Sequence, residues 1–162
     1  MGNFIESNLI PGEKVIYKAE VHWMVYFPSI INLLLAFIIF YFGKYALHME
    51  SKALPYFAMV PVVVALWKAI QSYIHREYTE IVITDSRLVA KFGFIRREMI
   101  ELPLSKIESV IVEQSIFERI IGAGSVGARG TGMAMAPVRY IDEPVKFRNF
   151  LNEAISNAKQ NN

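Results

Sequence analysis

Gly122 to Gly127 reads GAGSVG, which meets the G-x-G-x-x-G spacing of a dinucleotide loop, and Asp142 stands about where such a loop's ribose-binding carboxylate would be. In that chemistry the glycines let backbone amides approach a pyrophosphate and a succeeding helix supplies free N–H groups at its N-terminus. The same stretch, Ala123-Gly124-Ser125-Val126-Gly127, misses the G-x-S-x-G nucleophile elbow by one methyl group. Both motifs need a strand in front and a helix behind. The chain continues instead as ARGTGMAMAP, whose Gly130, Gly132 and Pro137 leave no room for a crossover helix. No His–acid pair is spaced to serve Ser125. The glycines are read as permitting tight turns and close packing beside a strand, and the chain is expected to be noncatalytic and without a cofactor.

Other chemistries narrow quickly. The chain has no cysteine, which removes disulfides, thiolate catalysis and cysteine-ligated zinc, and its three histidines, His22, His48 and His75, are too far apart for a paired ligand motif. No metal site is expected. A net charge of +2 is too small to suggest nucleic acid as a partner. Hydrophobic residues make up 54% of the 162 positions, which is high for an ordinary soluble domain.

The apolar residues are concentrated in two runs. WMVYFPSIINLLLAFIIFYFG, Trp23 to Gly43, carries no charge and is long enough to cross about 30 Å of hydrocarbon as a helix. LPYFAMVPVVVALWKAIQSYI, Leu54 to Ile74, is uncharged until Lys68, which lies near the end, where its ammonium can reach the headgroups. Aromatic residues mark the edges: Trp23 and Tyr26, Tyr41 and Tyr45, Tyr56, and Trp67 and Tyr73. Together the runs predict a transmembrane helical hairpin over residues 23–74. A cleaved signal peptide is the competing reading of the first run, but its apolar core is too long and no small-residue cleavage pattern comes after it. Glu6 occupies the position where an N-myristoylation signal needs a hydroxyl. Within the spans, Asn32 is read as hydrogen-bonding inside the hairpin or to a neighbouring subunit, and Pro61 as a kink.

Two spans place both termini on one side of the membrane. Lys14, Lys18, Lys68 and Arg76 flank the outer ends against Lys44 and Lys52 in the connecting loop, so the termini are expected to be cytoplasmic, with residues 1–22 as an N-terminal cytoplasmic segment.

From His75 onward the pattern changes to short strands. YTEIVIT and RLVAKF meet at Asp85-Ser86, Gly93 opens a turn into IRREMIELPL, and KIESVIVEQ supplies a further strand with Val110 and Val112 facing inward. SIFERIIG reads as a helical turn ended by Gly122, with SVGAR and PVRYI as strands after it. The end differs in period: Asp142 can cap, Pro144 suits a first turn, and Phe147, Phe150, Leu151, Ala154 and Ile155 share one face. Residues 75–162 are thus predicted to form an α+β domain, with antiparallel strands covered by a C-terminal helix.

The run YTEIVITDSRLVAKFGFIRREMIELPLSKIESVIVEQSIFERIIGAGSV, from Tyr78, resembles the bacterial pleckstrin-homology-like (PH-like) membrane proteins. The likeness lies in Thr84, Arg87 and Leu88; in Gly93, Phe94 and Arg96; in Leu102, Pro103, Leu104 and Ile107; and in Ile121, Gly122 and Gly124. PGEKVIYKAEVHW, Pro11 to Trp23, is similar to the segment that precedes the membrane hairpin in the same family. The resemblance implies a curved PH-like antiparallel sheet with a C-terminal capping helix, displayed on a two-helix anchor in the bacterial inner membrane, and an interaction platform rather than an enzyme.

Eukaryotic phosphoinositide-binding relatives use a basic cluster on an early hairpin loop, and Arg87, Lys91, Arg96 and Arg97 are the candidate contacts for anionic lipid or a partner here. Such a cluster beside a membrane reads first as a solvated basic edge, attracted by anionic lipid with about 1 kcal/mol per residue. Recognition of a specific headgroup is the sharper alternative. The leading functional expectation is a noncatalytic membrane protein that docks a membrane or cytoplasmic protein, by an exposed sheet edge or by assembling with copies of itself into a homo-oligomer. A lipid-binding or lipid-handling protein is the alternative, and an enzyme the remote one.

Overall fold

The PGEKVIYKAEV segment begins the sheet that the rest of the chain completes. In the computed structural model, which describes residues 8–46, 54–94 and 98–160, Val15–Ala19 forms strand β1. It pairs antiparallel with β2 (Glu80–Thr84), Ala19 opposite Ile81 and Lys18 opposite Val82. Residues 1–22, expected to be a separate cytoplasmic segment, therefore share one compact unit with residues 75–162. The apolar segment is an insertion between two neighbouring strands.

That unit contains two antiparallel sheets. The first runs β1-β2-β3-β4, with β3 at Arg87–Phe92 and β4 at Glu98–Pro103. β2 is buried throughout. Ile81 and Ile83 register with Ala90 and Leu88 on one face, while Val82 and Val89 on the other are packed by Leu9 from the N-terminal stretch. A strand covered on both faces reads as a continuous apolar run rather than an alternation, which accounts for Ile-Val-Ile.

A short 3-10 turn, Leu104–Lys106, leads into the second sheet, ordered β5 (Ile107–Glu113), β6 (Ala123–Gly130) and β7 (Met133–Asp142). ARGTGMAMAP thus contributes to two strands and the turn at Thr131-Gly132, where Gly132 takes a positive φ of 78°. Val110 and Val112 are half-buried, as is Ile111 between them. Helix α3 of this unit is Ile116–Ile121, and the C-terminal helix, α4, runs Pro144–Gln160. Asp142 ends β7, its N–H bonded to Glu20 O at 2.9 Å, and Glu143 (φ 44°) makes the turn into α4. Phe147 and Leu151 are fully buried, and α4 packs on β1, β2, β5, β6 and the 3-10 turn, closing the space between the sheets. Phe150 lies at the margin, 37% exposed, with its ring stacked on Tyr17 at 4.8 Å.

The second unit, Trp23–Ile74, contains a 3-10 turn (Trp23–Tyr26), α1 (Phe27–Tyr41) continued by a π turn (Phe42–Ala46), and most of α2 (Leu54–Tyr78). Trp23–Tyr45 and Pro55–Tyr78 are long and apolar enough to cross a membrane. Asn32 satisfies its amide within its own helix, Nδ2 donating to Pro28 O at 2.7 Å. Ser72 Oγ donates to Val25 O at 2.7 Å, tying the end of one apolar run to the start of the other. Lys52 lies outside the described residues.

Candidate functional site

GAGSVG leaves a helix and enters a strand, the reverse of what a nucleotide loop or nucleophile elbow requires. Gly122 caps α3 in the left-handed conformation, φ 82°, and Gly124 and Gly127 lie inside β6. A β-carbon on Gly124 would stand 2.7 Å from Gln114 Cγ, 2.8 Å from Pro144 Cγ and 2.9 Å from Glu113 O, so this glycine is held by close packing and not by a positive φ. Ser125 is buried.

The expected basic cluster divides. Arg87 is turned inward: its Nε and Nη2 each donate to Glu13 at 2.9 Å, and Nη1 donates to Glu101 at 2.6 Å. Glu13 also accepts from Thr84 Oγ1 at 2.7 Å, Ser86 Oγ at 3.0 Å and Ile10 N at 2.9 Å. Burial opposes ionisation of Glu13, but the hydrogen bonds from Arg87, Ile10, Thr84 and Ser86 outweigh it and hold the carboxyl at about 2. The Arg87 guanidinium is shifted upward, first by its hydrogen bond to Glu13. The Pro-Gly-Glu stretch and the Thr-x-x-Arg stretch are thus two halves of one clamp. It fastens the chain before β1 to the β2–β3 hairpin. Lys91 is 8% exposed, with Nζ 4.0 Å from Glu80 Oε1 on the neighbouring strand. Arg87 and Lys91 are thus each set against carboxylates of the same sheet or of the segment before β1. Arg96 and Arg97 lie outside the described residues.

Two other surfaces are better placed to bind something. β4 is the last strand of its sheet, and beside it opens a cleft of about 480 Å³. Phe92 and Ile100 line one side and Pro137, Val138 and Tyr140 of β7 the other, with His75, Glu98 and Arg139 among the polar lining. The second surface is α3, a short helix preformed by a capping box: Ser115 Oγ accepts from Glu118 N while the Glu118 carboxylate accepts from Ser115 N at 2.8 Å. The backbone and side-chain hydrogen bonds from Ser115 lower the Glu118 pKa. Ile116 and Ile120 project from it, 75% and 77% exposed.

Most of the chain has a counterpart among known families. Residues 30–155 match the Bacterial PH domain family. The chain belongs to that family. The match begins inside α1 and ends inside α4, so it takes in most of the apolar segment and strands β2 to β7, while β1 lies before it. No curated protein and no solved structure gave a match.

In this bacterial PH domain the clamp was half visible in the sequence, since Glu13 and Arg87 both stand in segments that carry the family resemblance. Their pairing depends on β1 lying next to β2 across the inserted segment, which no local pattern reports. The cleft was missed because its two walls come from strands far apart in sequence. An exposed Ile-Phe-x-x-Ile on a short capped helix was the available signal for the α3 surface.

Proposed function

We propose that this protein is a noncatalytic membrane protein whose PH-like unit is a docking module at the cytoplasmic membrane, held there by the hairpin of α1 and α2. The observation that carries the reading is the terminal position of β4 in its sheet, among the described residues, beside an apolar cleft. An extended partner segment can continue the sheet through main-chain hydrogen bonds and place alternate side chains against Phe92, Ile100 and Val138. Main-chain pairing supplies affinity and the cleft supplies selectivity. The partner is a segment of another protein or of a second copy of this chain.

The noncatalytic reading is supported by the packing roles of Gly122 and Gly124, which account for the one catalytic-looking motif without a substrate. Placement of both flanks on one side of the bilayer is supported by the pairing of β1 with β2, and the choice of the cytoplasmic side by the lysine and arginine bias.

The test is photo-crosslinking in cells, with a photoreactive residue at Met99 on β4 and, as a control, at Glu153 on α4; both positions are exposed. A discrete protein adduct at position 99 and none at 153 is expected. Adducts to lipid alone at position 99 would replace docking by the lipid-handling alternative.

A further inference from the structure

Ile116 and Ile120 are the most exposed large apolar side chains among the described residues of the PH-like unit, and Phe117 beside them is 48% exposed. They sit one turn apart on a helix whose ends are both fixed, by the Ser115–Glu118 capping box and by Gly122, so the patch is held in shape rather than formed on demand.

Its place in the unit identifies what it meets. Gly122 O, at the end of α3, accepts from Glu143 N at 2.9 Å, and Gly124 registers with Ile141 of β7. Ile141 bridges in turn to Val21, with Asp142 N donating to Glu20 O and His22 N to Tyr140 O. The ladder from Gly124 through Ile141 to Val21 crosses two strand spacings, about 10 Å. Two residues after Val21 the chain enters the first apolar run at Trp23. Helix α3 thus occupies the corner of the unit from which the chain departs for its apolar helices.

We infer that α3 is a membrane-contact element, with Ile116 and Ile120 seated in the headgroup and acyl boundary of the bilayer that holds the hairpin. The inference rests on the reading of α1 and α2 as membrane-spanning. A protein occupant is the poorer fit, because a specific interface covers roughly 800 Å² on each side, whereas three apolar side chains on a six-residue helix form a far smaller patch. A bilayer needs only a few such side chains when attachment is already provided elsewhere, and the exposed Arg119 between them suits anionic headgroups. A contact off to one side sets which face the unit turns toward the membrane.

The experiment uses the full chain, whose lack of cysteine allows single labels. Ile120→Cys, Val63→Cys and Ser156→Cys are each labelled with an environment-sensitive fluorophore and reconstituted at low protein-to-lipid ratio. The vesicles contain phosphatidylethanolamine and phosphatidylglycerol, with lipid carrying a spin label near the headgroup end or the methyl end of its acyl chain. Ser156 is exposed and 12 residues along α4 from its start, about 18 Å away. Position 120 is expected to lie roughly 5–10 Å into the boundary, and so to lose most of its emission to the shallow spin label and little to aqueous iodide. Position 156 should show the reverse, and position 63 should be quenched by the deep label. If position 120 behaves like 156 while 63 is quenched, α3 does not touch lipid and the inference is wrong. Shielding of position 120 from both iodide and spin label would assign the patch to a protein and equally overturn it. Failure of position 63 to be quenched would instead overturn the membrane hairpin itself.

Discussion

Removing the negative charge of Glu13 tests whether the clamp that joins the first strand to the β2–β3 hairpin holds the PH-like unit together. A carboxyl held at about 2 against an ordinary 4.5 represents on the order of 3 kcal/mol of folded-state stabilisation. The Glu13 side chain is 3% exposed but its Arg87 partner is 17% exposed, so solvent screens part of the interaction and this figure is an upper bound. An independent route gives a similar figure, since removing one member of a buried ion pair typically costs about 3–5 kcal/mol. Glu13→Gln keeps the shape and loses the charge. In thermal unfolding of the full chain in mild detergent at neutral pH, the transition of the variant's PH-like unit should fall by roughly 10 °C or more. The sign of the pH dependence is set by the depressed value. Glu13's contribution is fully present above its ordinary pKa of 4.5 and is lost as pH falls toward about 2. The native and Glu13→Gln curves should therefore converge as pH is lowered through that window. A constant offset between them down to the acid limit would show that the carboxylate's ionisation is not the stabilising feature, and no offset at neutral pH would refute the clamp.

Gly124→Ala should destabilise by about 1–3 kcal/mol through overpacking, because its new β-carbon meets Gln114, Pro144 and the Glu113 carbonyl at under 3.0 Å; calorimetry should show this with no saturable NAD or ATP binding in either protein. Phe147→Ala, at a fully buried position, should cost about 3–5 kcal/mol, and Phe150→Ala clearly less, since that ring is 37% exposed; resistance to limited proteolysis ranks the two. With cysteines placed singly at Ser51 and Ser156, a membrane-impermeant reagent on intact cells should label position 51 alone; labelling at 156 alone would reverse the topology.

The parts of this fold legible from sequence were those written in local patterns. The two apolar runs, the alternation in RLVAKF, the Gly122 cap and the face of α4 that carries Phe147 and Leu151 each arise from side chains within a few residues of one another. The glycine-rich strand β6 was recognised only in its centre, because Gly124, Gly127 and Gly130 mimic loop composition while in fact letting neighbouring backbone approach it closely. The pairing of Arg87 was not legible for a different reason. A charge on a strand looks solvent-facing unless its partner is known, and Glu13 is brought to it by a strand pairing that spans the whole apolar segment. Phe150 shares the helical stripe with Phe147, yet only a packed structure separates the residue that fills the core from the one that lies over Tyr17 at its margin.

The insertion also constrains how the unit can form. β1 precedes the apolar segment and β2 comes after it, so the first sheet cannot close until both helices have been made and the chain has returned. Bringing Ala19 to Ile81 across an unstructured loop would carry a loop-closure cost that grows with the logarithm of its length. A hairpin that crossed the bilayer and came back would do this work in advance by returning the chain to the surface it left. Residues 75–162 alone should therefore be deficient: they lack β1, Leu9 over Val82 and Val89, and the Glu13 carboxylate, and they leave one edge of β2 unpaired. Replacing the segment after His22 by a flexible Gly/Ser linker that rejoins the chain at Thr79 restores all of these without the apolar helices. The expected result is a cooperative thermal transition and well-dispersed amide resonances for the rejoined chain, and aggregation or an exposed-core spectrum for residues 75–162. Equal stability of the two would mean that β1 and the clamp are accessories of the sheet, and the large effect assigned to Glu13 could not then stand.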